Sequence, residues 1–204
     1  MNLREALKIT GGLSNTKAMP EKSFNLSPLL CPTGAVLSEI EGTSCRICYG
    51  KKGHYPFGNV QRAMERRQKG LAHPFWVDAM VKLLEEEVKL WFRWFDCGDV
   101  QSVANYRDIL NVARRTPHIR HWLPTQERSV VKHSGTEAIP SNMTVRISAV
   151  KVDGPVDKGW PWTSSVTADK SKATCPKHRN DGRCPRWCRG CWDRKVDTVA
   201  YLKH

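Results

Sequence analysis

Eight cysteines in two dense groups constrain this chain more than any other feature. Cys31, Cys45 and Cys48 lie near the start, Cys175, Cys184, Cys188 and Cys191 near the end, and Cys97 stands alone between them. Thiols at C-x2-C spacing converge on one centre, because two intervening residues let the backbone turn and present both sulfurs to the same ion or cluster. The first reading is a metalloprotein.

At 204 residues the chain has the size of one domain and can bury a core without cross-links, so metal would serve function or pin the ends. With 33 Lys and Arg against 20 Asp and Glu its formal charge is +13, and residues 169–195 alone set nine Lys or Arg against three Asp. Such a surface attracts polyanions, nucleic acid first among them. A solvated basic face that aids solubility carries equal weight. No apolar run approaches bilayer-crossing length, and residues 1–12 lack the apolar stretch of a signal peptide. No membrane partner is therefore expected, and the expected compartment is the cytoplasm. There thiols stay reduced, and clustered cysteines are more often metal ligands than disulfides. For a secreted chain, four disulfides would be the reading instead.

Residues 22–26 form a short extended candidate leading into a loop rich in Pro, Gly, Thr and Ser that runs to Gly50. Asn59 can cap a helix over 60–68 that Gly70 stops, and Pro74 opens a longer one with Val77, Met80, Val81, Leu84 and Val88 on one face. Residues 90–95 read as a buried aromatic strand ending in Asp96-Cys97-Gly98-Asp99. Ser102 caps a helix to about Arg115, with Val103, Tyr106, Leu110 and Ala113 inward. Residues 119–123 give the next strand and 143–152 the strongest, alternating Val145, Ile147 and Ala149 with Thr144, Arg146 and Ser148. The stretch between those two strands carries no assignable pattern.

Strands alternating with helices imply crossover connections and a mainly parallel sheet. The expected fold is α/β, a partial (incomplete) β/α barrel. It forms a single domain over 1–204, with its core over 1–168 and a cysteine-rich, metal-binding basic tail over 169–204 packed on it. Ligand sites in such folds lie beyond the C-terminal ends of the strands. Cys31 and Cys97-Gly98-Asp99 then share one rim.

Three cysteines ending in C-x2-C, with Tyr49 directly after, resemble the radical S-adenosylmethionine (SAM) enzymes, although thirteen residues separate Cys31 from Cys45. The resemblance implies a 4Fe-4S cluster on Cys31, Cys45 and Cys48 whose open iron chelates SAM. Gly98-Asp99 resembles the turn that holds the SAM amino group, with Cys97 and Asp99 in place of the usual residues, and Val145-Arg146-Ile147-Ser148 resembles the strand whose polar residue reaches SAM. Gly98, Asp99 and Ser148 are thus the implied cofactor contacts, and the implied chemistry is reductive SAM cleavage to a deoxyadenosyl radical, fed by an electron donor.

Over most of its length the chain resembles more closely the cysteine-rich phage family called gene product eighty-eight. The residues that carry this are Leu13-Ser14-Asn15-Thr16-Lys17, Cys31-Pro32-Thr33-Gly34-Ala35, Cys45-Arg46-Ile47-Cys48-Tyr49, Phe92-Arg93-Trp94 with Gly98-Asp99, and Cys184, Cys188 and Cys191-Trp192. This implies a phage origin, hence a host cytoplasm, and iron-sulfur character without a named reaction.

The tail segment 184–191 is literally C-x3-C-x2-C, with Cys175 nine positions upstream. Four thiolates in a closed site suit a second 4Fe-4S cluster or a structural zinc, and His178 is a substitute ligand if one cysteine stands aside. Cys97 decides what the first centre does. As a fourth thiolate it saturates the cluster, leaving electron transfer, redox sensing or bracing; as a buried thiol it leaves an iron open. Asp96 and Asp99 read as site groups or helix caps, with function favoured for Asp99. Trp187 and Trp192 are expected to shield the tail centre. His54 and Tyr55 read as surface loop, and His118 with His121 makes no convincing metal pair. The leading expectation is a phage iron-sulfur protein, with SAM cleavage as its reaction if it is an enzyme. The rivals are a metal-stabilised nucleic-acid-binding protein, engaging DNA or RNA through the basic tail, and a cluster-based redox sensor.

Overall fold

The computed structural model describes residues 1–203. Helix α1 (Leu3–Thr10) starts at a capping box in which Asn2 and Glu5 satisfy each other's backbone N–H, and Gly11 closes it with φ 77°. A 3-10 turn at Pro28–Leu30 leads into α2 (Pro32–Leu37), which Cys31 caps. There the sequence suggests only loop, because Pro, Thr and Gly are poor helix formers. Helices α3 (Gly58–Gly70) and α4 (Trp76–Glu87) follow, with Phe57 rather than Asn59 at the first N-cap. Strand β1 (Trp91–Arg93) is shorter than the aromatic run suggests. Helix α5 (Val103–Arg115) begins where Ser102 accepts a hydrogen bond from the Asn105 N–H, as the sequence leads one to expect.

Strand β2 (Arg120–Thr125), helix α6 (Arg128–Ser134) and strand β3 (Met143–Ser148) come next. The unpatterned stretch thus holds a helix of only seven residues, too short to show a period. Strands β4 (Thr163–Thr167) and β5 (Thr198–Leu202) complete the sheet, and the cysteine-rich segment forms the connection between them.

The five strands are parallel and ordered as in the sequence, giving a partial β/α barrel. Residues 23–26 extend it beside β1: the Phe24 N–H donates to the Arg93 carbonyl and the Leu26 N–H to that of Cys97. Helices cover one face, with α1 against α4 and α3, α4 against α5, and α5 against α6. Phe24, Trp76, Phe92, Trp94, Tyr106, Leu123, Val145 and Ile147 fill the core beneath them. Full burial of each such side chain contributes about 1.5–3 kcal/mol.

The other face is largely covered as well. Trp91, Trp122 and Val199 meet Cys191 and Trp192 of the cysteine-rich connection, which folds back over the sheet. This is why β3 is buried on both sides. Arg146, which alternation assigns to the polar side, has no exposed surface. Its guanidinium donates to six carbonyls, those of Thr163, Gly190, Cys191, Asp193, Val196 and Asp197, at 2.8–3.1 Å. One buried charge therefore fixes the path of the whole loop that carries Cys191.

Candidate metal centre

The C-terminal ends of the strands open on a cavity of about 360 Å³, within the range of small-molecule sites. Cys31, Cys45, Cys48 and Cys97 line it, and so do Cys175, Cys184 and Cys191. Two cysteine groups far apart in the chain thus share one space. All eight are free thiols.

Each cysteine of the first group is placed by a different element. Cys31 follows residues 23–26, and its position is fixed through Thr33, whose N–H and hydroxyl both donate to the buried Glu127 carboxylate at 2.7 Å. Cys45 is held by Ser44, whose N–H donates to the Val150 carbonyl just past β3. Cys48 opens the 3-10 turn Tyr49–Lys51, and the Tyr49 hydroxyl donates to the Asp96 carbonyl. Cys97 follows β1 through a tight turn: Phe95 takes φ 49°, a strained conformation for a side-chain-bearing residue, and Gly98 takes φ 89°. A Cβ at Gly98 would come within 2.7 Å of Leu26 Cβ, so only glycine lets the turn close on the neighbouring strand.

Two more glycines clear room for sulfur. A Cβ on Gly34 would stand 2.8 Å from Cys31 Cβ, 3.6 Å from Cys31 Sγ and 3.7 Å from Cys45 Sγ. One on Gly50 would collide with Cys97 Sγ and lie 3.5 Å from Cys48 Sγ. These glycines therefore sit in pockets shared by two sulfurs each. Burial, then Asp99 and the other three cysteines, push the Cys31 thiol far up, and burial with Cys48 pushes Cys45 up to about 11. Without a cation to stabilise thiolates, these groups stay protonated.

Asp99 is buried on the same rim. Its carboxylate accepts from the Thr125 hydroxyl at 2.6 Å and from the N–H groups of Gln126 and Val100 at 2.8 Å, while burial pushes its pKa up to about 7. Ser102, not Asp99, caps α5, so the helix-cap reading of Asp99 falls away. Gly98 and Ser148 also line the cavity, with the Ser148 hydroxyl 3.1 Å from that of Ser164. Asp96 instead organises the loops: its carboxylate accepts from Ser23, Asn25 and the Tyr55 hydroxyl. Tyr55 is thus tied to the site, while His54 lies exposed on the surface.

In the second group the Cys175 N–H donates to the Ala200 carbonyl of β5, and the Cys184 N–H to that of Ala18. Cys191 lies 3.2 Å from the Tyr201 hydroxyl, and burial pushes its thiol up to about 12. Cys188 lies close enough to raise the Cys175 and Cys184 thiols. His178 also lines the cavity, its Nδ1 2.8 Å from the Cys175 carbonyl and its Nε2 accepting from the Arg179 guanidinium. Trp192 is buried over the sheet, whereas Trp187 is 78% exposed and shields nothing. His118 is exposed and His121 buried, so they form no pair.

Among the described residues no three His, Cys, Asp or Glu side chains are grouped to hold a single metal ion. A tetrahedral zinc draws its thiolates to within about 4 Å of one another, whereas a four-iron cluster binds each thiolate on its own iron and takes a wider ring. Four thiols in each group are a donor set that a four-iron cluster or a zinc ion would accept.

The sequence assigns no site role to Arg93, Glu127, Arg146 or Lys177. A charged residue inside an aromatic strand is the available signal for Arg93, and one between Val145 and Ile147 of the strongest strand for Arg146; Glu127 and Lys177 sit in polar or basic stretches where nothing marks them. No curated protein and no solved structure matches the chain. A family model described as Gene product 88 matches residues 2–194, nearly the whole chain, and this protein therefore belongs to that phage gene-product family.

Proposed function

We propose that this protein holds two four-cysteine iron-sulfur clusters on the walls of one cavity and exchanges single electrons with a molecule bound there. Cys31, Cys45, Cys48 and Cys97 would hold the first, and Cys175, Cys184, Cys188 and Cys191 the second. The observation that carries this is the placement of Cys97, whose sulfur shares the Gly50 pocket with that of Cys48. With Cys97 included, the first cluster has all its irons ligated, which suits electron transfer. Such a protein needs an electron donor.

SAM cleavage is the second reading, favoured by Gly98, Asp99 and Ser148 lining the same cavity. It requires Cys97 to stand aside, and EPR of the reduced protein with and without SAM separates the two. The electron-transfer reading predicts a spectrum unmoved by SAM in the wild type. A SAM-dependent change that persists in Cys97→Ala and is lost in Asp99→Ala, with iron content retained, would establish the second reading. The exposed Trp187 beside exposed Arg186 supports nucleic-acid contact in addition, read as single-strand binding that weakens steeply with salt and with Trp187→Ala.

A further inference from the structure

Two cations, Arg93 and Lys177, line the cavity beside the thiols. Arg93, at the end of β1, lies with its guanidinium carbon 4.4 Å above the Trp122 ring. One terminal nitrogen donates to the Tyr49 hydroxyl at 2.9 Å and the other faces Met19 sulfur at 3.7 Å, while its buried Nε–H has no acceptor. Lys177 enters from the cysteine-rich connection and lines the same space. None of the ion pairs among the described residues includes either side chain. The lining carboxylates are committed elsewhere, Asp99 to Thr125, Gln126 and Val100, and Asp96 to Ser23, Asn25 and Tyr55.

Arg93 and Lys177 are half-buried cations on the wall of one cavity and in no ion pair among the described residues, an arrangement that suits an anionic guest. We propose that the cavity receives the carboxylate or phosphate of a small organic anion, with Arg93 and Lys177 as its two holders. The planar fork of Arg93, braced on Trp122, suits two oxygens of one group, and Lys177 supplies a mobile point charge. Apolar surface from Met19, Trp122, Val166 and Leu202 remains for the body of the molecule. The inference deepens the proposed function by naming the substrate class, and rests on the cavity being the working site.

Calorimetric titration of the reconstituted protein with succinate and with inorganic phosphate tests it. The wild type binds at least one of them. Lys177→Gln, which removes a side chain without a hydrogen-bond partner among the described residues, weakens that binding about tenfold or more, and Arg93→Lys does so while preserving charge. Binding of neither anion, or an affinity unchanged within about twofold in Lys177→Gln, overturns the inference. Iron and sulfide measured on the same samples keep the two claims apart. Anion binding that depends on Lys177 in a protein without iron retains the anion site and removes the clusters; clusters without anion binding do the reverse.

Discussion

One carbon atom at Gly50 separates a site with room for four sulfurs from one without, since its Cβ would collide with Cys97 Sγ. Gly50→Ala and Gly34→Ala are predicted to lower iron uptake with the helix signal in circular dichroism unchanged. Gly58→Ala is the control, because its Cβ meets only the flexible end of Arg62; it should leave iron content intact. His121 gives a second residue-scale prediction. Its Nδ1 accepts from the Trp94 indole N–H and its Nε2 contacts the Thr116 hydroxyl, whose own proton goes to the Val112 carbonyl, so the ring is neutral with its proton on Nε2. Burial holds its pKa down at about 3, against about 6.5 unfolded. The unfolded chain therefore binds the extra proton first: stability is full above pH 6.5 and falls as pH drops toward 3. This group alone lowers stability by about 2 kcal/mol from pH 7 to pH 5, while Asp99, whose pKa burial raises to about 7, shifts it the opposite way over the same window; an NMR titration should therefore find the His121 ring neutral at pH 5, and a protonated ring there would refute the assignment. Cysteine spacing was legible at this scale because ligand geometry is local. The roles of Gly34 and Gly50 were not, because they follow from which sulfurs arrive beside them.

At the scale of elements, legibility followed length and pattern. Helix α5 showed its cap and period, and β3 its alternation, so both were readable. Strands β4 and β5 were not, since TSSVT and TVAYL are short and lack a clean apolar face. The polar side of β3 was readable as a face but not as a buried one, because its cover comes from residues 190–197, some fifty positions away. Arg146→Leu removes the shared guanidinium donor from six carbonyls, of which those of Gly190, Asp193 and Asp197 keep a backbone N–H. We expect a loss of about 4 kcal/mol or more in urea unfolding and early proteolysis between residues 184 and 197, ahead of the helices. Stability within about 1 kcal/mol of wild type would mean that the loop is held by other contacts.

For the whole molecule, the partial barrel was foreseeable from alternating elements, and so was the site at the C-terminal ends of its strands. That the tail's cysteines would reach the same cavity was not, because the reach depends on β5 returning to the sheet beside β4. The connection between these strands both roofs the sheet and supplies the second thiol group, so fold and metal content should fail together: cysteine variants in residues 175–191 should lower the thermal midpoint as well as iron content. The central claim, two clusters on one cavity, is tested most directly by anaerobic reconstitution followed by iron, acid-labile sulfide and zinc analysis. The account predicts about eight irons and eight sulfides per chain, four of each lost in a Cys184→Ala/Cys188→Ala variant and four in a Cys45→Ala/Cys48→Ala variant. Zinc without sulfide at both thiol groups would contradict it.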